Sequence, residues 1–180
     1  MKKKIILGLL GMICFFAFPS IESYAEIAGD DAFTGLSWEQ VHEDAIQAPS
    51  GIVQSICATE DYIICIENTV DNATDADTVS AYYKNDIDEN GNPVERYSLA
   101  KRVSDTNWEH GNGMTYNPNT NEIYVALYTD MIEGNKGCIY VMDPATLAYK
   151  RTVKISDEFN ILGIDYMEDT GYRCVVLSTY

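Results

Sequence analysis

Apolar and polar positions alternate along this chain in short runs of strand length, and turn residues separate the runs. Ile52 to Ala58 reads as a strand, Thr59-Glu60-Asp61 as a tight turn, and Tyr62 to Glu67 as the returning strand. A polar loop from Asn68 to Asp77 leads to Thr78–Lys84, a third run rich in β-forming residues. Asn85 to Pro93 is a hairpin connection, because Asn90-Gly91 tolerates the positive φ angles of a tight turn. Val94 to Val103 is predicted to return as the fourth strand. The stretch His110 to Ile155 repeats the scheme more clearly. Strand, turn and strand run through Met114-Thr-Tyr-Asn-Pro-Asn-Thr-Asn-Glu-Ile-Tyr-Val, and a loop follows. A second pair is made by Gly137-Cys-Ile-Tyr-Val-Met-Asp-Pro-Ala-Thr-Leu and Tyr149-Lys-Arg-Thr-Val-Lys-Ile. Each stretch is one four-stranded antiparallel unit.

The units repeat one another. A displacement of 60 residues sets Ser55-Ile-Cys-Ala on Thr115-Tyr-Asn and Val79-Ser-Ala-Tyr on Ile139-Tyr-Val-Met. A further 50 sets Met114-Thr-Tyr-Asn on Ile164-Asp-Tyr-Met. Four short strands per repeat at this spacing predict an all-β fold of β-propeller blades, since one such sheet cannot bury both faces alone. The expected blades are 51–105, 109–156 and an incomplete 159–180, an unfinished ring. Asn-Pro-Asn-Thr-Asn-Glu-Ile-Tyr-Val followed by Gly137-Cys-Ile-Tyr-Val-Met-Asp-Pro-Ala-Thr-Leu resembles the blade repeat of the YVTN and NHL-like β-propellers. The resemblance covers His110 to Ile155 well and Ile52 to Val103 loosely. It implies architecture and no particular activity, because propellers host enzymes, binding modules and scaffolds alike. Rings of that family have six or seven blades. This chain is therefore expected to be part of a longer product, or to associate with other partial rings through open strand edges. Another small β-sheet fold is the alternative.

Lys2-Lys3-Lys4, the apolar run Ile5–Phe18 and Ser23-Tyr24-Ala25 predict a signal peptide, residues 1–25, cleaved after Ala25. The alternative reading is an uncleaved anchor. Cys14 lacks the small residue before it that lipidation needs. Residues 26–50 read as a lead-in arm, ending at the Pro49-Ser50-Gly51 breakers. Export makes the chain secreted. Cleavage removes three lysines and Glu22, taking the net charge from −16 to −18. So acidic a chain repels phosphate backbones and anionic lipid, which argues against nucleic acid and membrane partners and favours cations or basic proteins. Cys57, Cys65, Cys138 and Cys174 each lie in an apolar run, which favours buried thiols over disulfides.

Candidate chemistry is sparse. Trp108, His110 and Asn112 form the most distinctive polar cluster, in Trp-Glu-His-Gly-Asn-Gly at the entry to the second blade. Trp108 could stack on a sugar or another ring, and His110 and Asn112 could hydrogen-bond a ligand. The alternative role for the cluster is purely structural. Asp86, Asp88 and Asn90 match the first half of a calcium loop, but Tyr97 stands where its bidentate glutamate belongs. No metal or other cofactor is expected, and no nucleophile elbow, phosphate loop or paired-carboxylate motif is present. Asn72-Ala73-Thr74 would accept a glycan only in a eukaryotic host. The function expected is binding, of an extracellular protein or carbohydrate. The alternatives are a propeller-class lyase or hydrolase with His110 as acid/base, and a truncated fragment without function.

Overall fold

The computed structural model describes residues 40, 43–44, 51–69, 77–106, 108–128 and 134–178. The chain divides into Met1–Gln40 and Val41–Tyr180, and the account that follows concerns the second unit. The signal-peptide reading, most of the lead-in arm, Cys14 and Asn72 fall outside the described residues.

Ten strands follow one another: β1 (Ile52–Ala58), β2 (Tyr62–Asn68), β3 (Asp77–Tyr83), β4 (Leu99–Thr106), β5 (Gly111–Asn117), β6 (Glu122–Leu127), β7 (Cys138–Met142), β8 (Tyr149–Lys154), β9 (Phe159–Met167) and β10 (Gly171–Ser178). They make two four-stranded antiparallel meanders, β1-β2-β3-β4 and β5-β6-β7-β8, and a hairpin, β9-β10. The first strands of the three units pack side by side, β1 beside β5 and β5 beside β9. This is the face-to-face stacking of propeller blades, in which the leading strand of each sheet lies innermost. The described residues form two full blades and the leading half of a third.

The apolar alternation is spent on the seams between units. Ile64, Ile66, Val79 and Ala81 of the first sheet meet Met114, Ile123, Val125 and Leu127 of the second in one buried cluster. The opposite face of the second sheet, with Ala126 and Ile139, meets Ile161 and Ile164 of the hairpin in another. The second sheet is thus covered on both sides. Strands β6 and β7 accordingly read as near-continuous apolar runs.

Turn chemistry explains the boundaries. Asp143 of the Asp-Pro-Ala-Thr motif accepts the N–H groups of Ala145 (3.0 Å) and Thr146 (2.9 Å) and the Thr146 hydroxyl (3.0 Å), closing the β7–β8 connection. Those bonds hold the Asp143 carboxyl below its ordinary range against the opposing effect of burial. Gly91 adopts φ 81°, as the Asn-Gly turn predicts. The fourth strand starts at Leu99 rather than Val94. Val94 N–H bonds to the Asp86 carbonyl and Ser98 N–H to that of Glu95, Tyr97 sits at φ 67°, and bonding to β3 begins only at Tyr97 and Ser98, which meet Tyr83. The repeat also needs one correction. Matching bulges at Val53/Ser55 and Gly111/Gly113 make Ser55 equivalent to Gly113, not Thr115. The 60-residue displacement holds for β2 and β3, because the β5–β6 turn is longer than the β1–β2 turn.

Candidate functional site

Three backbone turns converge where β2 ends, β3 begins and β5 enters. Asn68, the last residue of β2, is buried. Its Oδ1 accepts the Gly111 N–H at 3.0 Å and its Nδ2 donates to the Glu109 carbonyl at 2.5 Å. Asp77, the first residue of β3, accepts the Trp108 N–H at 2.6 Å and the Thr69 N–H at 3.1 Å. Ser55 Oγ donates to the Gly111 carbonyl at 2.7 Å. The chain entering the second sheet is therefore bolted to the first by side chains that satisfy its backbone. Glu109 sits at φ 53°, a strained region for a residue with a side chain, and these bonds on either side hold it there.

The Glu109 side chain is buried at this seam and accepts the Asn135 amide at 3.0 Å. Burial pushes its pKa above the ordinary range, and the charge of Asp77 adds to the rise, while the Asn135 bond opposes it. Asn135 also donates to the Tyr140 hydroxyl at 3.0 Å. Burial likewise raises the Tyr140 phenol.

The three residues singled out by the sequence part company here. Trp108 is 1% exposed. Its ring makes edge contacts with Tyr140 and Tyr149, at centroid distances of 6.2 and 6.5 Å, inside the first core cluster. The expectation that it stacks on an incoming ring thus meets a side chain already enclosed. Its indole N–H has no hydrogen-bond partner among the described residues. His110 is half-buried, its imidazole set edge-on to Tyr128 at 5.8 Å, and its carbonyl accepts the N–H groups of Asn112 and Tyr128 at 2.9 Å. Asn112 is the half-buried residue at the β5 bulge. His110 and Asn112 stay together at a partly open edge, and Trp108 turns inward.

Sequence reasoning missed Asn68, Asp77 and Asn135. The available signal was position. Each is a short polar residue at or just before a strand end, where backbone groups leaving a ladder need partners.

The proposed half calcium loop has a local role. The Asp88 carboxylate accepts the N–H groups of Asn90 (2.9 Å) and Asn92 (2.8 Å) and the Asn92 side-chain amide (3.0 Å). The Asn92 bonds lead in holding Asp88 below the ordinary carboxylate range. Among the described residues, no group of three or more His, Cys, Asp or Glu could hold a metal. The four cysteines are free thiols. Cys138 is buried, Cys57 and Cys65 are half-buried, and Cys174 is exposed, so burial holds for part of the set only. Burial pushes the Cys57 thiol up to about 12.

At the other end of β2, a cleft of about 350 Å³ opens between the β1–β2 turn and the second sheet. Glu60, Asp61, Tyr62, Glu89, Tyr116 and Ala145 line it. Tyr62 donates to Glu89 at 2.5 Å. The Lys101 ammonium lies 4.2 Å from the Tyr62 ring centroid and donates to the Ala145 carbonyl at 2.5 Å. Tyrosine faces and carboxylates suit a cationic group, and Lys101 already uses that chemistry.

No family model matches the chain, and no curated protein matches it. Among solved structures, the chain is similar to the β-propeller domain of Cps50 (Swd1) from Myceliophteria thermophila. The TM-score is 0.33 and the identity 10%, over 73% of this chain and 52% of that one. The chain spans about half the length of that domain, and a likeness at this level assigns no residue and no activity.

Proposed function

We propose that this chain is a secreted interaction protein of YVTN/NHL-like propeller type, holding a protein partner through the open faces of its stacked sheets. One observation carries the reading. Seven of the eleven large exposed apolar side chains among the described residues lie on two strands, β1, which leads the first sheet, and β10, the second strand of the hairpin. Ile52, Val53 and Ile56 lie on β1, and Tyr172, Val175, Val176 and Leu177 on β10. Apolar surface concentrated on strands, rather than scattered, is the mark of an interface. The acidic charge and the tyrosine–carboxylate cleft suit a partner with basic groups at the rim.

A photo-cross-linking residue placed at Val175 or Ile56 in the exported protein tests this on the producing cells. The expected result is a discrete adduct from at least one of the two positions. Absence of an adduct at both would end the reading.

The competing assignment is a propeller-class lyase or hydrolase using His110 as acid/base. In its favour, His110 lies at a partly open edge beside the seam that raises the Glu109 carboxyl. That assignment expects His110→Ala to abolish turnover and leave the melting temperature unchanged. The binding reading expects no turnover in the wild type.

A further inference from the structure

We infer that the cleft at the far end of β2 seats one lysine side chain of the protein partner, its ammonium held between the Glu60 and Asp61 carboxylates and the Tyr116 ring. The inference rests on the interaction reading above and names the group of the partner that is recognised.

Four turns build the cleft. The β1–β2 turn and the β3–β4 connection bring Glu60, Asp61 and Glu89 from the first sheet. The β5–β6 and β7–β8 turns bring Pro118 and Pro144 from the second. A volume of about 350 Å³ is at the small end for ligand sites, with room for a side chain rather than a strand or helix.

The chain's own lysines show what these walls accept. The Lys101 ammonium lies over the Tyr62 ring and donates to the Ala145 carbonyl. Its charge also helps to hold Glu89 below the ordinary carboxylate range, behind the larger effect of the bond from the Tyr62 hydroxyl. Lys84 donates to the Thr59 carbonyl at 2.8 Å. Two ammoniums therefore stand against three carboxylates, and the cleft keeps an excess of negative charge.

Glu60 and Asp61 carry that excess. Among the described residues, neither takes part in an ion pair. Their turn is held through backbone atoms instead, Asp61 N–H to Thr59 Oγ1 at 3.3 Å and the Asn85 amide to the Glu60 carbonyl at 3.1 Å. Tyr62 can add little, since it is 5% exposed, with Lys101 on its ring and Tyr83 at 5.9 Å. Tyr116 is the aromatic wall that remains. It is half-buried, and its hydroxyl donates to Asn121 Oδ1 at 3.0 Å, which fixes the ring. Burial raises its phenol pKa and the charges of Glu60 and Asp61 add to the rise, so both carboxylates lie within electrostatic reach of it. A ring beside carboxylates that hold no cation is a place for one. An ammonium suits it better than a guanidinium. Acceptors on successive residues of a turn ask for donors that rotate, whereas a planar fork asks for acceptors in one plane.

Titration of the purified natural protein with acetyl-Gly-Lys-Gly-amide, read from the Tyr116 ring resonances, tests this. Binding is expected at millimolar peptide, and the Nε-acetyl-lysine form, which has lost its charge, should not bind. The arginine counterpart should bind more weakly. Glu60→Gln with Asp61→Asn should weaken the lysine peptide about 10-fold, the scale of two partly exposed ion pairs. Neither side chain holds the turn, so the melt of that variant should match the wild type. Tyr116→Leu should weaken binding about 2–5-fold, the scale of an exposed contact between a cation and a ring, and Tyr116→Phe should leave it within about twofold. Ring resonances that do not move up to about 20 mM peptide overturn the inference. Equal binding of the acetylated form, or tighter binding of the arginine form, overturns it as well. Cross-linking at Ile56 and Val175 separates the two readings. An adduct without peptide binding leaves the interaction protein standing and the lysine seat refuted. Peptide binding without an adduct supports the seat and removes the open faces as the partner's site. Absence of both removes both.

Discussion

The two seams of this molecule do the same job with different chemistry. The seam between the first and second sheets is tied by buried polar side chains. Asn68, Asp77 and Ser55 supply hydrogen bonds to the backbone of Trp108, Glu109 and Gly111. The seam between the second sheet and the hairpin has one such bond, Tyr166 N–H to Thr115 Oγ1 at 2.9 Å, and otherwise relies on closeness and rings. Gly113 lets β9 approach, the Tyr124 and Tyr172 rings lie 4.7 Å apart, and the side-chain amides of Asn117 and Asn119 donate to the Tyr172 and Tyr166 hydroxyls at 2.6 Å. A seam made of directional bonds to backbone fixes one register. A seam made of small residues and rings tolerates sliding until something bulky is inserted.

The comparison breaks most visibly at the first seam. Trp108→Ala should cost about 3–5 kcal/mol, the scale of removing a fully buried aromatic ring, measured as a fall in the denaturation midpoint. An effect below about 1 kcal/mol would mean that Tyr140 and Tyr149 close the gap and that the ring does not organise the seam.

The second seam should respond to a glycine. Gly113→Val forces a Cβ onto the backbone of Gly163 and should cost about 1–3 kcal/mol. Gly163→Val should cost no more than about 0.5 kcal/mol. Equal costs would show that the two glycines are not consecutive positions in one stacking series.

Asn68→Ala removes partners from a buried N–H and a buried carbonyl, and should cost about 1–3 kcal/mol in a thermal melt. Amide exchange at Gly111 should rise with it, while exchange along β9 stays unchanged. Loss of protection in both places would mean that the seams do not open independently.

The smallest effects are in pH dependence, and they have opposite signs. The folded chain raises the Glu109 pKa, so it binds more protons than the unfolded chain, and stability falls as pH rises above about 4.5 through the folded value. Glu109→Gln should flatten that slope. Glu122 is held down at about 2, chiefly by a two-pronged bond from Arg151 at 2.6 and 2.8 Å, with Lys150 at 2.8 Å. Its stabilisation is complete above pH 4.5 and is lost as pH falls from there toward about 2. Much of Arg151 is exposed, so the gain is modest, and Glu122→Gln should remove the acid limb and lower stability at neutral pH by the same modest amount. Slopes of the same sign in the two variants would contradict the assignment.

Most of the strand pattern was legible because it is local. Ile52–Ala58 could be read to the residue, and Asn90-Gly91 announced its turn. The fourth strand was misjudged at its start, since Val94 has strand propensity and its bond to Asp86 is a matter of turn geometry. The candidate site was half legible. His110 and Asn112 share an edge, as their spacing suggests. The inward turn of Trp108 depends on Tyr140 and Tyr149, which lie far along the chain, and on Asp77 holding its backbone. Nothing adjacent to Trp108 encodes those neighbours. Asn68 and Asn135 were read as loop residues because an amide that bonds backbone across sheets has no periodic signature.

The enclosure of Trp108 has an optical consequence. The chain has only two tryptophans, and Trp108 stands among tyrosine rings about 6 Å away, at the first seam. Light absorbed by those tyrosines should be re-emitted by the indole, at the short wavelengths of a ring shielded from water. Among the described residues, the second seam holds tyrosines and Phe159 but no tryptophan. Separation of the first and second sheets would shift the indole emission toward red, and release of the hairpin would leave its colour unchanged. The chain thus carries a native dye that distinguishes which of its two joints has opened.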